Sequence, residues 1–194
     1  DAPPTIAQSG AAENQAIGSA SIAVLPFADM SEAGDQQFFS DGLSEELLNL
    51  LVRVDGLSVA SRTSAFAFRG STLSLSDIAR ELDVAHVLEG SVRKAGNQVR
   101  ITAQLIEAET DRHLWSDTFD RKLDDIFAIQ DEIGNAIVEA LKAELGILEE
   151  VTVNVAAVTS NMDAYELYLE ARELFLQRVD LPKSIRLFTR AVEL

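Results

Sequence analysis

Histidine occurs twice in these 194 residues, at His86 and His113, and cysteine is absent. That inventory removes disulfides, thiolate metal sites and cysteine nucleophiles before any geometry is considered. Each histidine falls in a segment predicted to be a strand. A single strand histidine is expected to pack and hydrogen-bond, because a metal needs several convergent ligands. A Ser-His-Asp arrangement stays open on composition alone, but no G-x-S-x-G turn is present and Gly90-Ser91 sits inside a predicted strand. Trp115, between His113 and Asp117, is expected to pack on one face with neighbouring strands. Asp29, Glu32, Asp35 and Asp41 have the chemistry to hold a hard cation. Their spacing departs from D-x-[DN]-x-[DN]-G, so a solvated loop is expected. Neither a P-loop nor G-x-G-x-x-G occurs, so no catalytic residue, metal site or cofactor is predicted.

One constellation stands above this background. If the first two strands run parallel, Asp29 and the run Ser61-Arg62-Thr63-Ser64 both lie at strand carboxyl ends, with Arg69 close by in sequence. Open α/β sheets place ligands at that edge, so Asp29, Arg62, Thr63, Ser64 and Arg69 form a candidate ligand edge for an anion or small polar molecule. The competing reading is that Arg62 pairs with an acidic neighbour and fixes a loop.

The elements that must position these residues follow from hydrophobic period. Residues 21–27 (SIAVLPF) are a short apolar run closed by Pro26, a buried strand. Phe39, Leu43, Leu47, Leu50, Leu51 and Val54 recur at steps of three and four, which predicts a helix with one core-facing stripe. Asp41, Glu45 and Glu46 sit early in it, where acids suit the helix dipole. Residues 57–61 read as a second strand, and 74–82 as a short helix with Ser74 and Asp77 in capping-box spacing. Residues 85–94 and 98–107 alternate around a turn at Ala95-Gly96-Asn97, which predicts a hairpin, and 113–119 adds a third strand. Asp124 and Asp125 open the longest helix, with Ile126, Phe127, Ile133, Ile137, Leu141 and Leu145 on one stripe. Residues 150–160 alternate without a partner and read as an extended connector. The order βαβαβββα predicts an α/β (α+β) domain, a mixed sheet of about five strands with helices on one face.

Net charge is −16, the wrong sign for holding phosphates, so nucleic-acid binding by this segment is not expected. Residues 1–20 are rich in Ala, Ser, Gly, Pro and Gln without an apolar period, and read as a flexible linker. No apolar run is long enough to span a bilayer. Residues 162–177 and 181–194 predict two helices joined by a short turn. Phe188 and Ala191 stand where a tetratricopeptide repeat places its large and small packing residues, although Ser184 replaces the preferred alanine. Such repeats need about three units, so the break at Leu194 leads to the expectation that the chain is a fragment. The expected organisation is linker 1–20, α/β domain 21–149, connector 150–160 and an incomplete repeat 161–194. Leu187, Phe188, Ala191 and Leu194 would lie on or near one stripe, which suggests a homodimer with these helices at its interface.

Four blocks, SIAVLPFADMS (21–31), FFSDGLSEELLNLL (38–51), SVASRTSAFAFRG (58–70) and the long run 87–121, resemble the TolB-like amino-terminal domain in the family's order. The resemblance implies a domain that often precedes a tetratricopeptide array and follows a membrane helix with a CadC-like winged helix or a nucleotide cyclase. No β-propeller follows, unlike TolB, and the resemblance supplies no catalytic residues. The function expected is therefore a non-catalytic sensory or scaffold module of a bacterial signalling protein, with protein partners through the repeats. It would lie on the periplasmic side of an inner membrane, with the cytoplasm as the alternative. A small-ligand sensor using the Arg62 edge is the second reading, and a hydrolase the third.

Overall fold

The computed structural model describes residues 20–145 and 161–194. The linker and connector expected at 1–20 and 150–160 lie, save Ala20, outside the described residues. Six strands form one mixed sheet: β1 (Ser21–Val24), β2 (Ala28–Asp29), β3 (Ser58–Val59), β4 (His86–Ala95), β5 (Gln98–Glu107) and β6 (Arg112–Lys122). The order is β3-β1-β4-β5-β6, with β2 also pairing β4. β1 runs parallel to both β3 and β4, so the carboxyl ends of β1 and β3 do share an edge. β4, β5 and β6 are the antiparallel meander, with the third strand longer than its sequence pattern suggested. Pro26 interrupts the first apolar run, and the chain resumes two residues later as β2 beside β4.

The helices are α1 (Gln37–Leu51), α2 (Arg62–Phe66), α3 (Leu75–Leu82), α4 (Ile126–Leu145), α5 (Met162–Gln177) and α6 (Leu181–Val192). On β4 and β5 the alternation sends Leu88, Val92, Ile101 and Leu105 to one face. There Leu43, Leu47 and Leu51 of α1 and Ile126, Ile133 and Ile137 of α4 complete the main core. Val87 points the other way and meets Ala79 of α3, so this short helix covers the opposite face instead of joining the rest on one side. Its amino terminus is capped as its sequence implies, with the Ser74 hydroxyl accepting the Asp77 N–H at 3.1 Å. The outer edge strand, β6, turns one backbone donor away from association: Thr118 N–H donates to the Asp117 carboxylate at 2.7 Å.

The helical pair α5–α6 is not a separate body. Tyr165 and Leu169 of α5 are 5% and 3% exposed and belong to the main core. Gly42 of α1 makes the close approach possible, because a β-carbon there would stand 2.5 Å from a Leu169 methyl. Gln130 of α4 donates to the Tyr165 hydroxyl at 3.1 Å, and Lys94 of β4 pairs with Glu166. α6 then packs on α5, with Leu187 buried, the Ser184 hydroxyl donating to Ala171 O at 2.7 Å and Lys183 paired to Glu170.

Candidate functional site

The carboxyl-edge residues divide into two groups. Arg62 opens α2, a helix formed where the sequence suggested loop, with the Ser61 hydroxyl accepting the Ser64 N–H at its cap. Its Nε donates to Glu45 of α1 at 2.7 Å, and its guanidinium lies 4.3 Å from the centre of the Phe66 ring. Glu45 is also held by both terminal nitrogens of Arg172 from α5. Arg62 is thus part of a three-residue clasp joining α2, α1 and α5, as in the loop-fixing reading. Thr63 and Ser64 are exposed.

Arg69 and Asp29 lie elsewhere. Arg69 Nη2 pairs with Asp41 at 2.5 Å, and Asp41, only 5% exposed, also accepts from Gln37 Nε2 at 2.8 Å. Asp41 and Glu45 are therefore ion-pair acceptors one turn apart on α1; neither lies in the helix's first turn, where the dipole would act. Asp29 organises the loop after β2, accepting Ser31 N–H at 2.9 Å and Gln36 N–H at 2.8 Å. Burial pushes its carboxyl up, but the Ser31 hydroxyl together with these two N–H groups outweighs it and holds the group below the ordinary range.

Asp29 and Arg69 do share a cleft of about 480 Å³ on the sheet face opposite the main core. Its floor is Glu89, Ser91, Thr102 and Gln104, the outward-facing residues of β4 and β5, with Glu89 directly opposite Gln104 and Ser91 opposite Thr102. Leu25, Pro26 and Phe68 form its apolar wall, and Gln37 and Gly70 stand at the rim. Gly90 admits the Phe27 ring beneath this floor, since a β-carbon would come within 2.5 Å of it. Arg62, Thr63 and Ser64 do not line the cleft. Glu89 and Gln104 do, and the alternation of β4 and β5 already put them on the wet face; what the sequence lacked was the fold of 68–70 over that face.

His86 is 3% exposed with Nδ1 3.0 Å from Ser21 O, and His113 is exposed, so the two imidazoles share no site. Trp115 packs toward the core, 6.3 Å between ring centres from Phe119. The expected interface stripe is also divided: Leu187 is buried within the hairpin and Phe188 faces Tyr168, while Leu194 is 60% exposed. The large apolar side chains that face solvent along α6 are Leu181, Ile185 and Val192.

Residues 18–136 match the family described as HilA/YgeH-like transcriptional regulator, second domain. The chain is 45% identical over 157 residues to "Putative adenylate cyclase 3" of Rhizobium meliloti (strain 1021); the match covers 81% of this chain and 27% of that protein. Among solved structures, TolB from Acinetobacter baumannii superposes with a TM-score of 0.50 at 17% identity, covering 64% of this chain and 29% of TolB. Lipoprotein GNA1162 from Neisseria meningitidis gives a TM-score of 0.45 at 17% identity, covering 67% and 99% of the two chains.

Proposed function

The chain belongs to the family of HilA/YgeH-like transcriptional regulator second domains, and from that premise we propose that it is a non-catalytic sensory and scaffold module of a larger bacterial signalling protein. It acts by protein–protein contact through the α5–α6 hairpin. The observation that carries this reading is the hairpin's construction. α5 is built into the α/β core, whereas α6 turns Ile185 (64% exposed) and Val192 (88% exposed) to solvent. Apolar side chains held on a rigid base form a surface suited to a partner. The hairpin is the first unit of a tetratricopeptide array in this proposal, and the cyclase activity in the relative's name belongs to parts of that protein outside the matched 27%. A tether of the composition of residues 1–20 suits the periplasmic side of an inner membrane. Among the described residues no helix is long and apolar enough to cross one.

Self-association through α6 is the form of contact most directly tested. Light scattering of the purified chain should report a dimer, and Ile185→Asp with Val192→Asp should give a monomer of unchanged melting temperature. A wild-type monomer at high concentration overturns the homodimer. Hydrolysis of a generic ester, phosphate or peptide, abolished by one point substitution, overturns the non-catalytic reading.

A second reading rests on a separate observation, the 480 Å³ cleft. Its concavity, apolar wall and polar floor are the features of a small-molecule site, with Asp29 and Arg69 at its margin and Arg62 outside it.

A further inference from the structure

We propose that the cleft over β4 and β5 binds a small organic cation, an amine or guanidinium group on a short apolar body, with Glu89 as its anchor. The proposal rests on the reading of the cleft as a ligand site and adds the sign of the ligand and the residue that recognises it.

The charges lining the cleft are two carboxylates, Asp29 and Glu89, against one guanidinium, Arg69. Arg69 does not offset both, because it is committed to Asp41 at 2.5 Å. Asp29 stays ionised, and each of its oxygens already accepts a loop N–H, so it contributes negative potential more than a free ligating atom. Glu89 differs. It is half-buried on the floor, and among the described residues its carboxylate has neither an ion-pair nor a hydrogen-bond partner. A partly desolvated carboxylate without a partner is stabilised by a cation placed on it and destabilised by an anion.

The neutral lining agrees with that sign. Gln104 stands opposite Glu89 in the ladder and can turn its amide oxygen to an N–H donor. Leu25 and Phe68 supply the wall against which an apolar body of a few carbons would lie. An anion entering the same space would meet two carboxylates and a guanidinium already engaged, in a chain whose net charge is −16. Arg62 and Arg69, which the sequence groups at an edge suited to an anion or small polar molecule, are both held by acids of α1.

The test titrates the full chain with n-butylammonium, n-butanol and butyrate, which share a short apolar body and differ in the charge of the head. Amide chemical shifts of residues 89–91 and 102–104 report occupancy. Saturable shifts with n-butylammonium, weaker ones with n-butanol, and an affinity reduced about fivefold or more in Glu89→Gln support the proposal. The Glu89 carboxylate has no side-chain partner to lose and its replacement is isosteric, so Glu89→Gln should melt no lower than wild type. Butyrate binding more tightly than n-butylammonium, or an unchanged affinity in Glu89→Gln, overturns the cationic assignment while the cleft remains a ligand site. No saturable shift at these amides with any of the three probes overturns both.

Discussion

The seating of α5 against α1 has a quantitative consequence at one contact, Gly42 with Leu169. Leu169 is 3% exposed, and an added β-carbon at Gly42 would lie 2.5 and 2.7 Å from its two methyl carbons. Leu169→Ala alone leaves a hole between two helices and should cost about 3 kcal/mol, within the usual range for a buried leucine. Gly42→Ala alone has two opposed effects. Replacing a helical glycine gains about 1 kcal/mol of helix propensity, whereas forcing a methyl into filled space costs about 1–3 kcal/mol. The net should be a destabilisation of about 1 kcal/mol, softened because the obstructing atoms are the end of a flexible side chain. The double variant removes the clash, keeps the helix gain and returns a methyl to the hole. It should be destabilised by only about 1–2 kcal/mol, against about 4 for the sum of the singles, a favourable coupling of about 2–3 kcal/mol. Urea unfolding followed by the fluorescence of Trp115, the one tryptophan, measures all four proteins in a single assay. Additivity within about 0.5 kcal/mol would refute the contact and with it the claim that α5 belongs to the core.

Three further outcomes concern the acids of α1. Arg69→Ala strands the nearly buried carboxylate of Asp41; because Arg69 itself is 39% exposed the cost should be about 1–3 kcal/mol, and adding Asp41→Asn should recover part of it in thermal melts. Arg62→Ala should cost less than about 1 kcal/mol, since Glu45 keeps Arg172, while Arg172→Ala should cost more; the reverse order would show that the clasp is held chiefly from α2. Burial, reinforced by Glu45 and opposed by Arg172 and Arg53, raises the Glu46 carboxyl above its ordinary range. A raised acid contributes stability that is present at low pH and lost as pH rises through its folded pKa. Glu46→Gln should therefore melt higher than wild type at pH 7.5 and match it near pH 4, and equal melting at both would remove Glu46 as a source of strain.

The parts of the fold legible in the sequence are those governed by period. The leucine stripe of α1, the isoleucine stripe of α4 and the alternation of β4 and β5 each encode which face is buried, and the structure buries those faces. The candidate ligand edge was legible only in part. Parallel pairing of β1 and β3 is a condition of that edge which the structure meets, but the partners of its arginines had no signal in the sequence. Glu45 and Asp41 looked like dipole-favoured acids because local reasoning sees the helix end and not the loop that returns across it. Arg172 is 127 residues from Glu45, and no local pattern links them. Glu89 escaped notice for a different reason: a charged residue on the wet face of a strand is ordinary, and it becomes a candidate only when residues 68–70 wall in the face around it.

The polar residues of α1 explain why the cleft and the hairpin are parts of one structure. Gln37, Asp41 and Glu45 follow one another at steps of four, so they form a single row along the helix. Gln37 stands at the rim of the cleft and donates to Asp41; Asp41 holds Arg69 from the cleft wall; Glu45 holds Arg62 from α2 and Arg172 from α5. The Phe66 ring lies between the two arginines of the returning segment, 4.3 Å from the Arg62 guanidinium and 5.6 Å from that of Arg69. Residues 62–69 are thereby clamped at both ends to neighbouring turns of one helix. Rotating α1 by a residue would carry Asp41 and Glu45 away from all three arginines at once, and would also drive a larger side chain than Gly42 toward Leu169. The helix is therefore fixed in rotation by its polar row as well as by its leucines, and the acid that holds the hairpin, Glu45, stands one turn along from Asp41, which holds the cleft-side loop.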